Sequence, residues 1–348
     1  LDSFIAHWTS PSNIALVKYW GKKPNQIPAN SSLSFTLSHS LTSLKLEVNR
    51  TNKSTGVSLD FFFEDQSHEK FKHKILEFLK KQTQRFPWLE SSHLTIHSFN
   101  TFPHSSGIAS SASSMSALAL CLWDIDGQVN RKPLGQADFF QKVSELAREA
   151  SGSASRSVFP FMASWGEFNE VTSNLWANPV KKDFVHPLFH DFCDSIAIVD
   201  GGEKAVSSRA GHALMDTHPF NESRYQRAQE NTRKLMDILS KGDLDLFIEV
   251  VEEEALMLHG LMMTSSPSVL LLKPESIDII HKLRSFRNES KVPVCFTIDA
   301  GPNIHILYPK KFKDQVLSWM REKLSSVKMI HDEVGSGPQN ILTKALSQ

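Results

Sequence analysis

Hydrophobic and polar positions alternate with a period of two along much of the first hundred residues. In SLSFTL, Leu33, Phe35 and Leu37 fall on one side and Ser32, Ser34 and Thr36 on the other. SLKLEV repeats the pattern with Leu44, Leu46 and Val48, and VSLDFFF and HLTIHSF follow. Successive side chains of a pleated strand point to opposite faces, so these stretches read as half-buried strands. The period changes in ADFFQKVSELAREA, where Phe139/Phe140, Val143, Leu146/Ala147 and Ala150 share a helical face. Over 178–192 (NPVKKDFVHPLFHDF) two prolines and mixed polarity interrupt the pattern. Beyond lie a strand (SIAIVD), long helical stretches (RYQRAQENTRKLMDIL, DLFIEVVEEEALMLHGLM) and helix–strand–turn–strand–helix across 275–324. The expected architecture is α+β with segregated helices, in two domains, 1–183 and 184–348.

A chain of 348 residues suits two domains, and 40% hydrophobic with 22% charged residues supplies material for real cores. Lys+Arg and Asp+Glu balance at 38 each, so no global field recruits nucleic acid or an anionic membrane, although a local cationic pocket stays open. Cys121, Cys193 and Cys295 lie far apart in apolar segments, with neither a disulfide framework nor a zinc spacing, which points to a reducing cytoplasm. No apolar run approaches the ~20 residues of a membrane span. The start, LDSFIAHWTS, is not a signal peptide, and it lacks a Met. The 15 histidines form no helical H-x-x-x-H pair, so no transition-metal site is expected.

The run FPHSSGIASSASSMSA, residues 102–117, crowds seven serines with glycine and alanine. It could be a linker, a small-residue packing helix, or a loop whose backbone approaches an anion. A strand precedes it and a helical face (Ala112, Met115, Ala119, Leu122) follows, the context in which free N–H groups at a helix N-terminus take phosphate. It carries no G-x-x-x-x-G-K-[ST]. SPSNIALVKYWGKK joins an apolar strand to a basic end, solvated or anion-facing. ASGSASRSVF runs from a helix into a loop, where Arg156 among small hydroxyls suits an oxyanion. In CFTIDAGPNIHILY two strands flank a tight turn, and Asp299 by itself reads as a turn residue.

Together these stretches resemble the GHMP kinase superfamily, and within it the diphosphomevalonate decarboxylases. P-x-x-x-G-[LI]-x-S-S-A-S is similar to the superfamily's phosphate loop. N-I-A-x-x-K-Y-W-G-K followed by P-x-N-S-S-[LI]-S resembles the decarboxylase N-terminus. S-G-S-A-x-R-S, K-x-V-S-S-x-x-G (Lys204, Ser207, Ser208, Gly211) and D-A-G-P-N complete the order across residues 10–303. The resemblance implies a two-domain GHMP kinase fold, with a ribosomal-S5-like N-terminal domain and a ferredoxin-like C-terminal one. It implies ATP-dependent conversion of mevalonate 5-diphosphate into isopentenyl diphosphate, ADP, phosphate and CO2 through transient 3-phosphorylation, with ATP as co-substrate and Mg2+ as cofactor, and a homodimer.

By the same resemblance Asp299, Lys18 and Ser208 are catalytic. Asn13, Tyr19, Lys22, Ser151, Ser153 and Arg156 bind substrate. Gly107, Ala109, Ser110 and Ser111 hold the ATP phosphates. Two departures stand out: Pro160-Phe161 replaces two family glycines close to Arg156, where it would reshape the pocket, and His104-Ser105-Ser106 precedes the loop glycine. The alternatives are a decarboxylase of mevalonate 5-phosphate, a mevalonate 3-kinase that releases no CO2, and a non-enzymatic metabolite sensor.

Overall fold

A computed structural model describes residues 2–51, 56–103, 108, 110–132, 135–202 and 206–345. Two long strands, β1 (Ser3–Val17) and β2 (Ser32–Arg50), form an antiparallel hairpin. Then come β3 (Ser58–Phe63), β4 (Gln66–Ser67), α1 (Glu69–Lys80), β5 (Ser92–Asn100), α2 (Ser110–Val129), α3 (Gln136–Ala150), β6 (Met162–Trp165) and β7 (Ala177–Pro179). The second half holds β8 (Phe192–Ile198), α4 (Ser208–Ala213), α5 (Asn221–Lys241), α6 (Leu244–Met263), α7 (Pro274–Ser290), β9 (Cys295–Ile298), β10 (Ile304–Pro309), α8 (Lys313–Lys323), β11 (Lys328–Glu333), β12 (Gln339–Asn340) and α9 (Ile341–Ala345). Among the described residues, one sheet runs β12-β1-β2-β5-β3-β4 with β6 and β7 attached through β2; the other runs β11-β8-β10-β9.

The alternation in SLSFTL and SLKLEV belongs to a single strand, β2, and its first half is not half-buried. Ser32, Leu33, Ser34, Phe35, Thr36 and Leu37 are all buried. The apolar side packs with Phe189, Phe192 and Phe247 of the second half. The polar side is occupied too: Ser32 and Ser34 accept hydrogen bonds from Arg156, and the Thr36 hydroxyl donates to the Phe159 carbonyl at 2.7 Å. Burying hydroxyls is tolerable because each finds a partner.

That apolar cluster joins Ile14, Leu16 and Phe35 to Phe189, Leu235 and Phe247, so the two halves share a core across the 183/184 region. The chain end returns as well, since β12 pairs with β1 through Trp8–Asn340 and Thr9–Gln339. Phe161 adopts φ +65°, a left-handed backbone that explains why glycine suits this position. Its ring lies edge-on to His190 at 5.7 Å and under Lys182 at 5.9 Å, packed into the shared core. No helix among the described residues is long and apolar enough to cross a membrane.

Candidate active site

Lys18 is the first residue beyond β1, and its side chain is 2% exposed. Its ammonium donates to Asp299 Oδ1 at 2.8 Å. Asp299 stands on the turn from β9 to β10, where the Gly301 N–H donates to the Asp299 carbonyl at 2.7 Å. Asn303 anchors the turn: its Oδ1 accepts from the Val199 and Asp200 N–H groups at 2.8 and 2.9 Å. Asp299, Ala300, Gly301, Asn303 and His305 line a small pocket there. Burial pushes the Lys18 ammonium down from its ordinary value, while Asp299 and then Glu254 pull it back up.

Arg156 lies in the 3₁₀ segment Gly152–Val158 that follows α3, and it is 2% exposed. Its guanidinium donates to Ser34 Oγ at 3.0 Å, Ser32 Oγ at 2.8 Å and Asn13 Oδ1 at 3.3 Å, with its carbon 5.8 Å from the Trp165 ring centre. Every one of those partners is neutral, and burial lowers the group to about 10, with Asp299 the largest opposing influence. A buried cation surrounded by neutral dipoles is stabilised by an incoming anion. Asn13 is itself held, donating to the Ser153 carbonyl at 3.1 Å and Ser157 Oγ at 2.8 Å. Tyr19 adds a buried hydroxyl with no hydrogen-bond partner among the described residues, its ring 4.8 Å from Trp165 and 4.4 Å from His212. Gly152 makes room for that ring, because a Cβ there would meet Tyr19 at 2.8 Å. Ser151 caps the end of α3 in extended conformation.

Lys22 donates to Gln26 Oε1 at 3.2 Å, and its ammonium is depressed by partial desolvation and then by Arg209. Lys74 on α1 is depressed by the same two causes. Lys22 in the loop after β1 and Lys74 on α1 thus each feel the charge of Arg209 on α4, a concentration of positive charge that suits a polyanion. Ser208 is exposed at the start of α4, one residue after the cap Ser207, whose hydroxyl accepts from the Ala210 N–H. The loop reaches α4 through the Gly21 N–H, which donates to His212 Nδ1 at 3.0 Å.

The small-residue run divides in two. Ser110 and Ser111 open α2 half-buried. Ser113 and Ser116 are fully buried and bond Thr42 Oγ1 at 2.7 Å and Ser10 Oγ at 2.6 Å, packing α2 onto the sheet. Gly107 and Ala109, and Lys204 of the K-x-V-S-S motif, lie outside the described residues.

This arrangement has close counterparts. Residues 10–174 match the model of the diphosphomevalonate decarboxylase-like N-terminal domain, and 195–346 that of the mevalonate 5-diphosphate decarboxylase C-terminal domain. The chain belongs to the mevalonate diphosphate decarboxylase family. It is 28% identical to the diphosphomevalonate decarboxylase of Debaryomyces hansenii, over 97% of this chain and 86% of that one. The mevalonate diphosphate decarboxylase of Staphylococcus aureus superposes with a TM-score of 0.84 at 28% identity, covering 98% of both chains. MDDEF, solved in complex with MVAPP, AMPPCP and magnesium, superposes with a TM-score of 0.82 at 26% identity, covering 98% of this chain and 99% of that one. The two-domain α+β fold is that of the GHMP kinases.

Of the residues that family resemblance singled out, Lys18 and Asp299 form a direct pair, and Arg156, Asn13 and Ser153 form a connected set. Several polar residues around them went unremarked in the sequence: Arg224, Asn231, Glu254, His259, Lys74 and Arg209. Glu254 and His259 sit inside the apolar stretch of α6, and charge at otherwise core positions was the available signal.

Burial, ahead of Lys22, holds His212 down to about 3, and burial, ahead of Lys18, holds His259 down to about 4. Both stay neutral in the folded chain, whereas the unfolded chain protonates near 6.5. Stability should therefore fall as pH drops through 6.5 toward about 4, by up to ~1.4 kcal/mol per pH unit for each histidine. Urea denaturation at about pH 7 and about pH 5.5 measures the effect. His259→Gln should remove its share of the slope, and an unchanged slope in that variant would place His259 in solvent.

Proposed function

We propose that the protein carries out ATP-dependent decarboxylation of mevalonate 5-diphosphate to isopentenyl diphosphate, with the Lys18–Asp299 pair at the reacting hydroxyl and Arg156 at a substrate anion. The observation that carries this reading is the Lys18–Asp299 contact of 2.8 Å, together with a buried guanidinium whose partners among the described residues are all neutral. A tertiary hydroxide leaves poorly, so the 3-hydroxyl first gives up its proton and takes the γ-phosphoryl of ATP, releasing ADP. The C3–O bond then breaks with phosphate departing, the C1–C2 bond supplies its electron pair to form the alkene, and C1 leaves as CO2.

Asp299 orients the hydroxyl or accepts its proton. Lys18 compensates charge between Asp299 and the transferring group. Tyr19, Asn13, Ser151, Ser153 and Arg156 receive the carboxylate or diphosphate, Lys22 with Arg209 and Lys74 meets the diphosphate, and Ser208 helps align the reacting groups. Ser110 and Ser111 at the start of α2, with Gly107 and Ala109 just before them in the sequence, take the ATP phosphates. Magnesium enters with the ATP phosphates, a role that suits an ion that keeps its waters and few protein ligands. MDDEF was solved in complex with AMPPCP and magnesium.

Residues 1–183 and 184–348 serve as the two domains, the protein works as a homodimer, and three free buried cysteines favour the cytoplasm. Incubation with MgATP and mevalonate 5-diphosphate should release ADP and CO2 in equal amounts. ADP without CO2 would replace this reading with a 3-kinase. The cationic group of Lys22, Lys74 and Arg209 favours the diphosphate over mevalonate 5-phosphate, so a higher kcat/KM on the monophosphate would overturn that preference.

A further inference from the structure

Lys18 is gripped by its backbone as well as by its ammonium. Glu254 on α6, with a side chain 0% exposed, accepts the Lys18 N–H at 3.0 Å. The same carboxylate receives both terminal nitrogens of Arg224 on α5 at 2.8 Å, and Asn231 Nδ2 at 2.8 Å. Arg224 reaches past it and donates to the Lys18 carbonyl at 3.0 Å, an oxygen that also accepts from Asn30 Nδ2 at 2.9 Å. Both backbone polar groups of a residue that has just left β1 are thus satisfied by side chains, most of them from the second half of the chain.

We propose that the Glu254–Arg224–Asn231 cluster is a positioning device for the reaction, fixing the Lys18 backbone so that its ammonium stays on Asp299. The cluster reaches no reacting atom on its own; it acts through Lys18. A cluster meant only to join α5 to α6 would have no need to bond the Lys18 N–H and carbonyl. A bidentate Arg–carboxylate pair supplies the geometric definition required, since its two parallel bonds allow little rotation. Reacting groups displaced by about 1 Å can lose ~10²-fold in rate, which gives such a device its use. The inference rests on the assignment of Lys18 and Asp299 to the reaction.

Glu254 also bears on the charge of Lys18. The charged groups acting on that ammonium are Asp299 beside β9, Glu254 on α6 and Arg156 after α3, and the neutral, titratable His259 on α6 is coupled to it as well. Glu254 and Asp299 favour the protonated form, whereas burial and Arg156 oppose it. Neutralising Glu254 therefore lowers the pH at which Lys18 loses its proton, and activity should fail at a lower pH on the alkaline side.

The test is a double-mutant cycle of Glu254→Gln with Lys18→Met, measured on the full chain as phosphoryl transfer and CO2 release, with nucleotide affinity followed separately. Glu254→Gln should lower kcat by ~10-fold or more with nucleotide affinity unchanged, shift the alkaline limb downward, and have less than about a twofold effect in the Lys18→Met background. Equal losses in both backgrounds, or an unmoved alkaline limb, would reduce the cluster to a fold-stabilising element. Full activity of Lys18→Met would instead remove Lys18 from the mechanism, an outcome separate from failure of the clamp. If Glu254→Gln does not fold because Arg224 is left buried without a counter-charge, Arg224→Met/Glu254→Gln removes both charges and enters the same cycle, where the loss of kcat and its disappearance in the Lys18→Met background decide, since the two charge removals offset each other on the alkaline limb.

Discussion

Replacing Asp299 by Asn lowers kcat by at least ~10²-fold, leaves the binding of both substrates nearly unchanged, and lowers the melting temperature because the buried Lys18 ammonium loses its counter-charge. Asn keeps the size of Asp and suits the same turn, where the Gly301 N–H bonds the backbone carbonyl and not the carboxylate. What disappears is the basicity at the reacting hydroxyl and the negative charge facing Lys18. That charge is the largest influence keeping Lys18 protonated against its burial. The substitution thus weakens two groups at once, so its cost should exceed that of losing a proton acceptor alone. The alkaline limb of the pH profile should move down, because a Lys18 ammonium without its partner deprotonates at lower pH. Steady-state kinetics across pH, with a melting curve, check this. A kcat within about threefold of the parent at equal stability would make Asp299 a turn residue only.

Arg156→Met should separate binding from folding more sharply still. The guanidinium is 2% exposed, burial pulls it down to about 10, and among the described residues it bonds Ser32, Ser34 and Asn13. A buried cation retained for stability is normally paired with a carboxylate, as Arg224 is with Glu254. Removing a buried charge that lacks such a partner should leave stability level or higher, since desolvation of the cation opposes folding. Losing a charge-assisted contact to a substrate anion is worth roughly 1.5–3 kcal/mol, or about 10–150-fold in kcat/KM. Nucleotide affinity should hold, because the nucleotide phosphates are assigned to the α2 end. A comparable loss in nucleotide affinity would move Arg156 to the nucleotide side. A large fall in melting temperature with intact kcat/KM would make it a structural residue.

Both substitutions address residues visible as motifs, yet their surroundings were legible only in part. Alternation located β2, β3 and β5, and the 3.6 period located α3, because those patterns express one buried face against one wet face. The order of motifs from Asn13 to Asn303 carried the family, since local backbone requirements, such as space beside Gly152 for Tyr19, are written in residue type. Tertiary packing decided what local pattern leaves open. It buried Ser32, Ser34 and Thr36, the expected solvent face of β2, because Arg156 and the Phe159 carbonyl arrive there from more than a hundred residues away. It split the serine run into residues opening a helix and residues bonding the sheet. It also brought Glu254 and Arg224 to the backbone of Lys18, from separations of 236 and 206 residues. No periodicity encodes such meetings: a side chain's partner across the fold depends on where whole elements dock, which is settled by burial of the shared core and not by neighbours in the chain.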